Sequence, residues 1–480
     1  MNYADHARIK SILLNCGFSY TEEQNDADII ILITCSVRQK AEDKITGLLK
    51  DFKKTQKIWI TGCMIQHNIR NSKFSQKKIP QNLKIGNFLG TINLDNYEIL
   101  GLTTNEINKQ NNSTKNSKIV PINHAFNPQF FNLKETFENI ELFRRIDDTG
   151  FLPKILEKIG YKIKYNSDLL NEYEKIIPEN QNTSMNIRHK KTAYVPISTG
   201  CNQFCSYCIV PYARGLERNF EVEHIVNECK VHLQNGAEEI VLLGQIVNKH
   251  PKFVEIIKEV LKLDGLKRLR YTSPYPTYYS NELLELHEKE EKLCPHIHIP
   301  FQSGSDQILK AMNRGYNNQK AKEFIDNIKK LDRKISITTD IIVGFPNETD
   351  EDFQQSLDLI KYGNFDMIYI GIYSPRPGTY AHKNIPDNIP YEIKHKRWKE
   401  LNNLLNKISL KNNQKEVGKV KTVLINDFMT KDINGIYKYQ GYTDNMKQII
   451  VSSKKKLNIG DFIEVKINRG VVFKLYGEAK

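Results

Sequence analysis

Long apolar runs are missing from this chain. The longest, Ile29 to Ile33, falls far short of the roughly 20 residues that a membrane-spanning helix needs, so no membrane association is expected. No leader peptide is seen, and cysteine is sparse, 8 in 480 residues. Together these argue against a secreted disulfide framework and for a reducing compartment, expected to be the cytoplasm, where free thiolates survive. A surplus of acid is also lacking. Net charge is +14, and Lys411 to Lys480 holds 14 Lys and Arg against 7 Asp and Glu. That concentration suggests a polyanion partner, although lysine as the default surface residue of a Lys- and Asn-rich chain gives the same count. The 39% hydrophobic content suffices for ordinary cores, and the length suggests about three domains.

What cysteine there is stands where it matters. Cys201, Cys205 and Cys208 lie in Ser198-Thr-Gly-Cys-Asn-Gln-Phe-Cys-Ser-Tyr-Cys-Ile-Val-Pro-Tyr-Ala-Arg-Gly215, a CxxxCxxC spacing with Tyr207 before the last cysteine. Structural zinc takes four ligands in pairs, and no second pair follows; His224 and Cys229 fall in a helical pattern too far on. Three thiolates on one short loop hold three irons of a [4Fe–4S] cube and leave the fourth open, a vacancy that four-cysteine electron carriers lack. The open iron can chelate the amino and carboxylate groups of S-adenosylmethionine (SAM), and the spacing resembles the radical-SAM signature.

Periodicity divides the chain further. Helical spacing over Asp5–Gly17 and Val37–Phe52 alternates with short apolar strands at Ala27–Thr34 and Lys57–Thr61, which implies a parallel α/β unit. Cys35 and Cys63 follow the two strands at the edge where such sheets place ligands, so they are candidates for half of a second metal site, with buried structural thiols as the alternative. Cys16 falls on the apolar stripe of the first helix and is read as core. Residues 105–118 are polar low complexity and expected to be disordered, and 140–160 has helical spacing. From 187 to 412, six candidate strands (193–199, 239–245, 268–273, 296–302, 335–344 and 366–373) alternate with helices such as 222–235, 253–263, 306–331 and 350–362. They suggest a partial (β/α)6 barrel with its site at the carboxyl ends of the strands. Five short strands after 413 suggest a small OB-like β-barrel, a common nucleic-acid platform.

Across these regions the chain resembles the radical-SAM methylthiotransferases that make 2-methylthioadenosine in bacterial tRNA. The resemblance is carried by Thr34-Cys-Ser-Val-Arg-Gln-Lys-Ala, Thr61-Gly-Cys-Met, the cysteine loop, Leu242-Leu-Gly-Gln-Ile-Val-Asn, Ile299-Pro-Phe-Gln-Ser-Gly-Ser-Asp, Met312-Asn-Arg-Gly-Tyr, Asp340-Ile-Ile-Val-Gly-Phe-Pro and Tyr373-Ser-Pro-Arg-Pro-Gly-Thr. It implies an N-terminal methylthiotransferase domain over 1–105, an insertion or linker over 106–185, a radical-SAM core over 187–412 and a TRAM-like RNA-binding domain over 413–480. It further implies a SAM-binding [4Fe–4S] cluster on Cys201, Cys205 and Cys208, and an auxiliary [4Fe–4S] cluster with Cys35 and Cys63 as two of three ligands. Two SAM molecules would then methylthiolate carbon 2 of N6-isopentenyladenosine beside the tRNA anticodon, an unpaired base that can be splayed out. The expected partners are the tRNA anticodon loop and a reductant such as flavodoxin or ferredoxin, with the enzyme a monomer. Alternatives are a threonylcarbamoyl-adenosine tRNA or a ribosomal-protein substrate, or an RNA-binding protein with a lost auxiliary cluster.

One departure stands out. The family pattern opens with a strand ending Gly-Cys-Gln-Met-Asn, whereas this chain starts at Met1-Asn2, so the first auxiliary ligand is not in it. Either Met1 is internal to a longer protein or the auxiliary cluster is impaired or differently held. Several further residues carry two readings. Tyr207 contacts SAM or packs the loop. Arg214 and Arg218 meet substrate or phosphate, or form a solvated face. Gln302, Ser303 and Ser305 are SAM contacts or helix caps. Asp340 and Gly344 flank the expected SAM position, with Gly344 otherwise a turn residue. Arg376 meets substrate or cofactor, or pairs within its loop. His296 and His298 are read as barrel-interior or surface residues rather than ligands. Lys454, Lys455 and Lys456 contact RNA phosphate or form a solvated hairpin.

Overall fold

The computed structural model describes residues 1–21, 23–35, 45, 47–63, 139–143, 146–163, 165, 173, 176–178 and 191–480. These form two compact units, one of Asn2–Pro178 with Cys208–Leu216, the other of Met1, Glu179–Tyr207 and Glu217–Lys480.

In the first unit the helix Asn2–Asn15 leads to three parallel strands, β1 (Ile29–Thr34), β2 (Lys57–Gly62) and β3 (Ile140–Phe143), in that order across the sheet. The central strand β2 is buried from Ile58 onward, which is why its sequence is nearly all apolar. Trp59, at its middle, gives its indole N–H to Glu141 at 2.8 Å, and Glu141 also takes Lys57 at 2.8 Å and the Tyr161 hydroxyl at 2.7 Å. That knot fixes β3 beside β2 and corrects the expected helix over 140–160. Ile140–Phe143 pairs parallel with β2, Ile58 opposite Ile140 and Trp59 opposite Leu142, and only Leu152–Lys158, after a 3-10 turn at Ile146–Phe151, is α-helical. The segment expected to be an insertion therefore supplies the third strand of the N-terminal sheet. The expected helix over 37–52 is helical at 45 and 47–49; its other residues up to 50 lie mostly outside the described residues, as does the expected disorder over 105–118.

In the second unit, β4 (Thr192–Pro196) continues into the short β5 (Ser198–Thr199), which pairs antiparallel with β6 (Arg218–Asn219). The remaining barrel strands are β7 (Glu239–Leu243), β8 (Arg268–Tyr271), β9 (His296–His298), β10 (Ser336–Val343) and β11 (Met367–Ile372). The sheets β4-β7-β8 and β9-β10-β11 are parallel throughout, and a parallel bridge from Leu269 to Leu293 links them. This is the partial (β/α)6 barrel expected from the alternating pattern. One helix differs. The single helix read over 306–331 is two, Asp306–Ala311 and Asn318–Lys329, because Asn313 and Gly315 turn left-handed at φ 57° and 60°.

Five strands close the C-terminal barrel in the order β12-β13-β14-β16-β15: β12 (Val420–Lys431), β13 (Tyr437–Thr443), β14 (Gln448–Ser453), β15 (Phe462–Val471) and β16 (Lys474–Ala479). Val423, Ile425, Tyr439, Ile449, Val451, Val465, Ile467 and Leu475 fill it. Gly441 is required where β13 meets β12, since a Cβ there would lie 2.5 Å from the Leu424 carbonyl oxygen. The barrel is held to the larger one at the amino ends of the parallel strands. Lys447 reaches Asp366 at 2.5 Å and Asn413 at 3.0 Å, and the Arg268 guanidinium stacks 5.0 Å from the Phe462 ring centre.

Candidate functional site

The cysteine loop hangs from the stem formed by β5 and β6, past the carboxyl end of the first barrel strand. Cys201 and Cys205 are buried, at 8% exposure each, although both lie in a loop. The Gln203 backbone N–H points at Cys201 Sγ, 3.4 Å away. Burial pushes the Cys201 thiol up and that N–H opposes it. Phe204 sits at φ 48°, a conformation that a bulky residue holds only when its surroundings impose it. Cys208, half-buried, belongs to the first unit together with the helix Val210–Arg214.

What imposes the loop conformation is the helix break at 312–316. The Ser206 N–H donates to the Met312 carbonyl at 3.0 Å and its hydroxyl to the Ala311 carbonyl at 2.8 Å. The Asn313 amide donates back to the Phe204 carbonyl at 3.1 Å. Arg314, 5% exposed, lies between them with Nη1 3.3 Å from Cys205 Sγ, Nη2 2.7 Å from the Pro300 carbonyl and Nε 3.4 Å from the Tyr316 hydroxyl. Its guanidinium is 4.5 Å from the Tyr275 ring centre and 5.5 Å from that of Tyr316, and the Tyr275 hydroxyl donates to the Arg314 carbonyl. Sequence reasoning missed this role of the 312–316 run. Asn and Gly inside an otherwise helical window were the available signal.

The residues expected to meet SAM are distributed along the strand ends. Tyr207 is partly buried against Ile308, Met312, Phe345, Tyr373 and Ala381. Gln302 stands at φ 74° and bridges β10, its N–H to the Asp340 carbonyl at 2.8 Å and its carbonyl to the Ile342 N–H at 2.9 Å. Ser303 is buried, its hydroxyl 3.2 Å from that of Ser356 and accepting the Ser305 N–H. Ser305 caps the helix Asp306–Ala311 and donates to Asp352 at 2.5 Å. Both hydroxyls are thus taken up in fixing the turn after β9. Asp340 reaches His298 Nε2 at 3.1 Å, and Thr338 bonds both His298 Nδ1 and His296 Nε2. Burial drives His296 well below its usual range, so it is neutral there. Gly344 at φ 71° gives its N–H to Glu348 at 2.7 Å. Arg376 is buried, with its carbonyl accepting from the Thr379 hydroxyl at 2.8 Å. Lys454, Lys455 and Lys456 are exposed between β14 and β15.

In the first unit, the register from Ile29 opposite Lys57 to Thr34 opposite Gly62 brings Cys35 and Cys63 to neighbouring strand ends. Cys16 is buried just past the first helix, and burial pushes its thiol up to about 11, in keeping with a core residue. Arg214 is neither a solvated face nor free for substrate. It is 2% exposed, with Nη2 2.6 Å from Asp5 Oδ2 and Nε 3.0 Å from Cys63 Sγ. The Tyr173 hydroxyl donates to the same Asp5 carboxylate at 2.5 Å. Burial works to raise Asp5, but the Arg214 charge and hydrogen bonds outweigh it and hold the carboxyl below its ordinary value. At Cys63 burial wins and the thiol goes up, with Arg214 opposing.

These donor sets fit sulfur-ligated clusters. An N–H or guanidinium is aimed at a sulfur in each unit, which suits a thiolate ligand better than a neutral thiol. Among the described residues no three His, Cys, Asp or Glu side chains converge as one metal ion requires. A cubane asks less, one cysteine per iron.

Comparison with known proteins agrees with this chemistry. Residues 195–360 match the radical SAM superfamily and residues 1–83 match the uncharacterized protein family UPF0004. A tRNA-2-methylthio-N(6)-dimethylallyladenosine synthase from Clostridium botulinum (strain Langeland) is 34% identical over 100% of this chain and 94% of its own length. Proteins of the same name from Dictyoglomus thermophilum, at 34% over 100% of this chain and 96% of theirs, and Carboxydothermus hydrogenoformans, at 32% over 99% and 96%, are similar along their length too. Among solved structures, the radical SAM methyltransferase TsrM from Kitasatospora setae overlaps with a TM-score of 0.44 at 13% identity, covering 74% of this chain and 65% of that one, a distant likeness.

Proposed function

The chain belongs to the radical-SAM tRNA methylthiotransferases, and on that premise we propose that Cys201, Cys205 and Cys208 hold the SAM-binding cluster of an enzyme that methylthiolates carbon 2 of N6-isopentenyladenosine in tRNA. The observation that carries this reading is the buried cysteine loop at the carboxyl end of the first barrel strand, in a chain that matches the synthases along its whole length. The enzyme uses SAM and [4Fe–4S] clusters; when bound, they would relay the donor's electron and supply the hydrogen abstraction at carbon 2, the sulfur and the methyl group, none of which side-chain acid–base chemistry provides.

The chain's own residues bind, orient and shield. The 312–316 break ties the loop on either side of Cys205, at Phe204 and Ser206, so that sulfur is held before any iron arrives. Tyr207, Gln302, Asp340, Gly344 and Arg376 are our candidates for SAM contact. Gln302, whose backbone N–H and carbonyl are spent on β10, does so through its side-chain amide, Gly344, whose N–H goes to Glu348, through its carbonyl, and Asp340 through a carboxylate that His298 orients. Ser303, whose hydroxyl shares a hydrogen bond with that of Ser356, is a further candidate. Cys35 and Cys63 are our candidates for the auxiliary cluster. The boundaries proposed for the parts are those of the sheets and barrels: the sheet of β1 to β3, the barrel of β4 to β11, and the small basic barrel of β12 to β16 as an RNA-binding platform.

tRNA is the substrate and an electron donor is required. We further propose a flavodoxin or ferredoxin as that donor, a monomeric enzyme and a cytoplasmic location. Among the described residues no helix is long and apolar enough to cross a membrane. The test uses anaerobically reconstituted protein, SAM, dithionite and anticodon stem-loops carrying isopentenyl- or threonylcarbamoyl-adenosine. Mass spectrometry is expected to find the 2-methylthio product from the first only. Product from the second alone would overturn the substrate assignment.

A further inference from the structure

Among the described residues Arg314 is a buried cation without a carboxylate counter-ion. No Asp or Glu forms an ion pair with it among the described residues. Its neighbours are the Pro300 carbonyl, the Tyr316 hydroxyl, two aromatic rings and the sulfur of Cys205. Guanidinium does not deprotonate in proteins. A desolvated charge left unpaired is strongly unfavourable, so a site built this way is completed by an anion. Arg376 is also buried, and so is Arg397 on the helix Tyr391–Gln414, where it pairs with Glu348 and Asp350, each at 2.8 Å. Arg214 points at a sulfur too, yet Asp5 neutralises it. Arg314 alone of these sulfur-facing arginines brings net positive charge to its cysteine.

We propose that Arg314 is a positioning residue of the radical-SAM site, fixing Cys205 through an N–H···S contact and making the cluster easier to reduce by one electron. The proposal rests on Cys205 being a cluster ligand. Reduction takes a [4Fe–4S]2+ cluster to [4Fe–4S]+ with one electron from an external low-potential donor, and no bond to the protein breaks. Because reduction adds negative charge to a site of low dielectric, a fixed cation beside one thiolate favours the product. The placement is rigid. Nε, Nη1 and Nη2 each have a partner, and the backbone on either side is tied to the cysteine loop through Met312 and Asn313. A solvated arginine could neither hold that distance nor keep its charge unscreened.

The test is a redox titration of the full, iron-loaded chain, following by electron paramagnetic resonance the [4Fe–4S]+ signal that changes when SAM is added. Arg314→Gln is expected to retain its iron and to lower the equilibrium constant for reduction about tenfold, a shift of about 59 mV to more negative potential for one electron. Arg314→Lys, which keeps the charge, is expected to recover most of that shift. An iron-loaded Arg314→Gln with the wild-type potential overturns the proposal and leaves the cluster assignment standing. If Arg314→Gln loses its iron, the lysine variant decides. Iron retained near the wild-type potential supports the charge, and iron lost there too overturns it in favour of a packing role. A wild-type protein with no SAM-sensitive signal refutes the cluster reading itself, a separate result.

Discussion

The two cysteine sites of this chain are assembled by different means. Cys35 and Cys63 are placed by sheet register, at the ends of neighbouring parallel strands, beside an arginine that an aspartate neutralises. Cys201 and Cys205 are placed by a loop whose shape comes from elsewhere in the sequence, a broken helix more than a hundred residues on, beside an arginine that no carboxylate among the described residues neutralises. The first arrangement suits a site that stores and releases sulfur without being driven by charge. The second suits one that must accept an electron. On the proposed ligand assignments, the contrast teaches that ligand spacing alone does not separate a sulfur-donating cluster from an electron-accepting one, whereas the surrounding charge does.

The sharpest way to break the contrast is to remove one ligand from each site. Cys201→Ala is expected to abolish SAM cleavage, measured as 5′-deoxyadenosine released. Cys35→Ala is expected to leave cleavage intact while stopping sulfur insertion. Iron content is expected to fall from about eight to about four in each, if both clusters form in the parent protein. Cleavage surviving in Cys201→Ala, or full product from Cys35→Ala, would erase the division of labour.

Removing the neutralising charge is the next test. Asp5→Asn leaves Arg214 buried without its carboxylate and is expected to cost about 3 to 5 kcal/mol of stability, read from the denaturant midpoint of the N-terminal transition. Little change would mean that Arg214 turns to water and that the pair is not the anchor of that site.

The proportion of this that the sequence made legible follows from physical range. β1 and β2 were readable because a strand buried in a parallel sheet is apolar residue after residue, and the edge position of Cys35 and Cys63 followed at once. β3 was not, because Ile140–Phe143 is too short for its two-residue period to outweigh the helical spacing around it, and its partner, the Glu141 knot with Trp59 and Lys57, is set by chain far away. The cysteine trio was legible as spacing. The clamp was not, since nothing local to Cys205 announces Arg314. Arg214 was noticed for its position and misread, because burial against Asp5 is a property of the fold.

pH separates the regions more gently. Burial pushes Glu348 up to about 7 from an ordinary 4.5, against the Gly344 N–H and Arg397. Between those values the folded chain holds a proton that the unfolded chain has released. Stability of the barrel unit is therefore expected to fall as pH rises from 4.5 to about 7 and to level off above. Glu348→Gln is expected to flatten that slope, and an unchanged slope would assign it to other groups.

The smallest effect is expected at Lys454, Lys455 and Lys456. Replacing all three by alanine should weaken tRNA binding and reduce the salt dependence of affinity by about 0.7 in log–log slope for each phosphate that the lysines no longer neutralise. An unchanged slope would make them a solvated turn and move the RNA surface elsewhere on the chain.

The central claim is that this chain methylthiolates isopentenylated adenosine in tRNA through the cluster on its CxxxCxxC loop. Nucleoside mass spectrometry tests it most directly, on tRNA from a bacterial strain that lacks its own synthase and expresses this chain or its Cys201→Ala variant. The account expects 2-methylthio-N6-isopentenyladenosine with the parent chain and only N6-isopentenyladenosine with the variant. The 2-methylthio nucleoside appearing with the variant, or N6-isopentenyladenosine left unmodified by a parent chain shown to carry its iron, would contradict it.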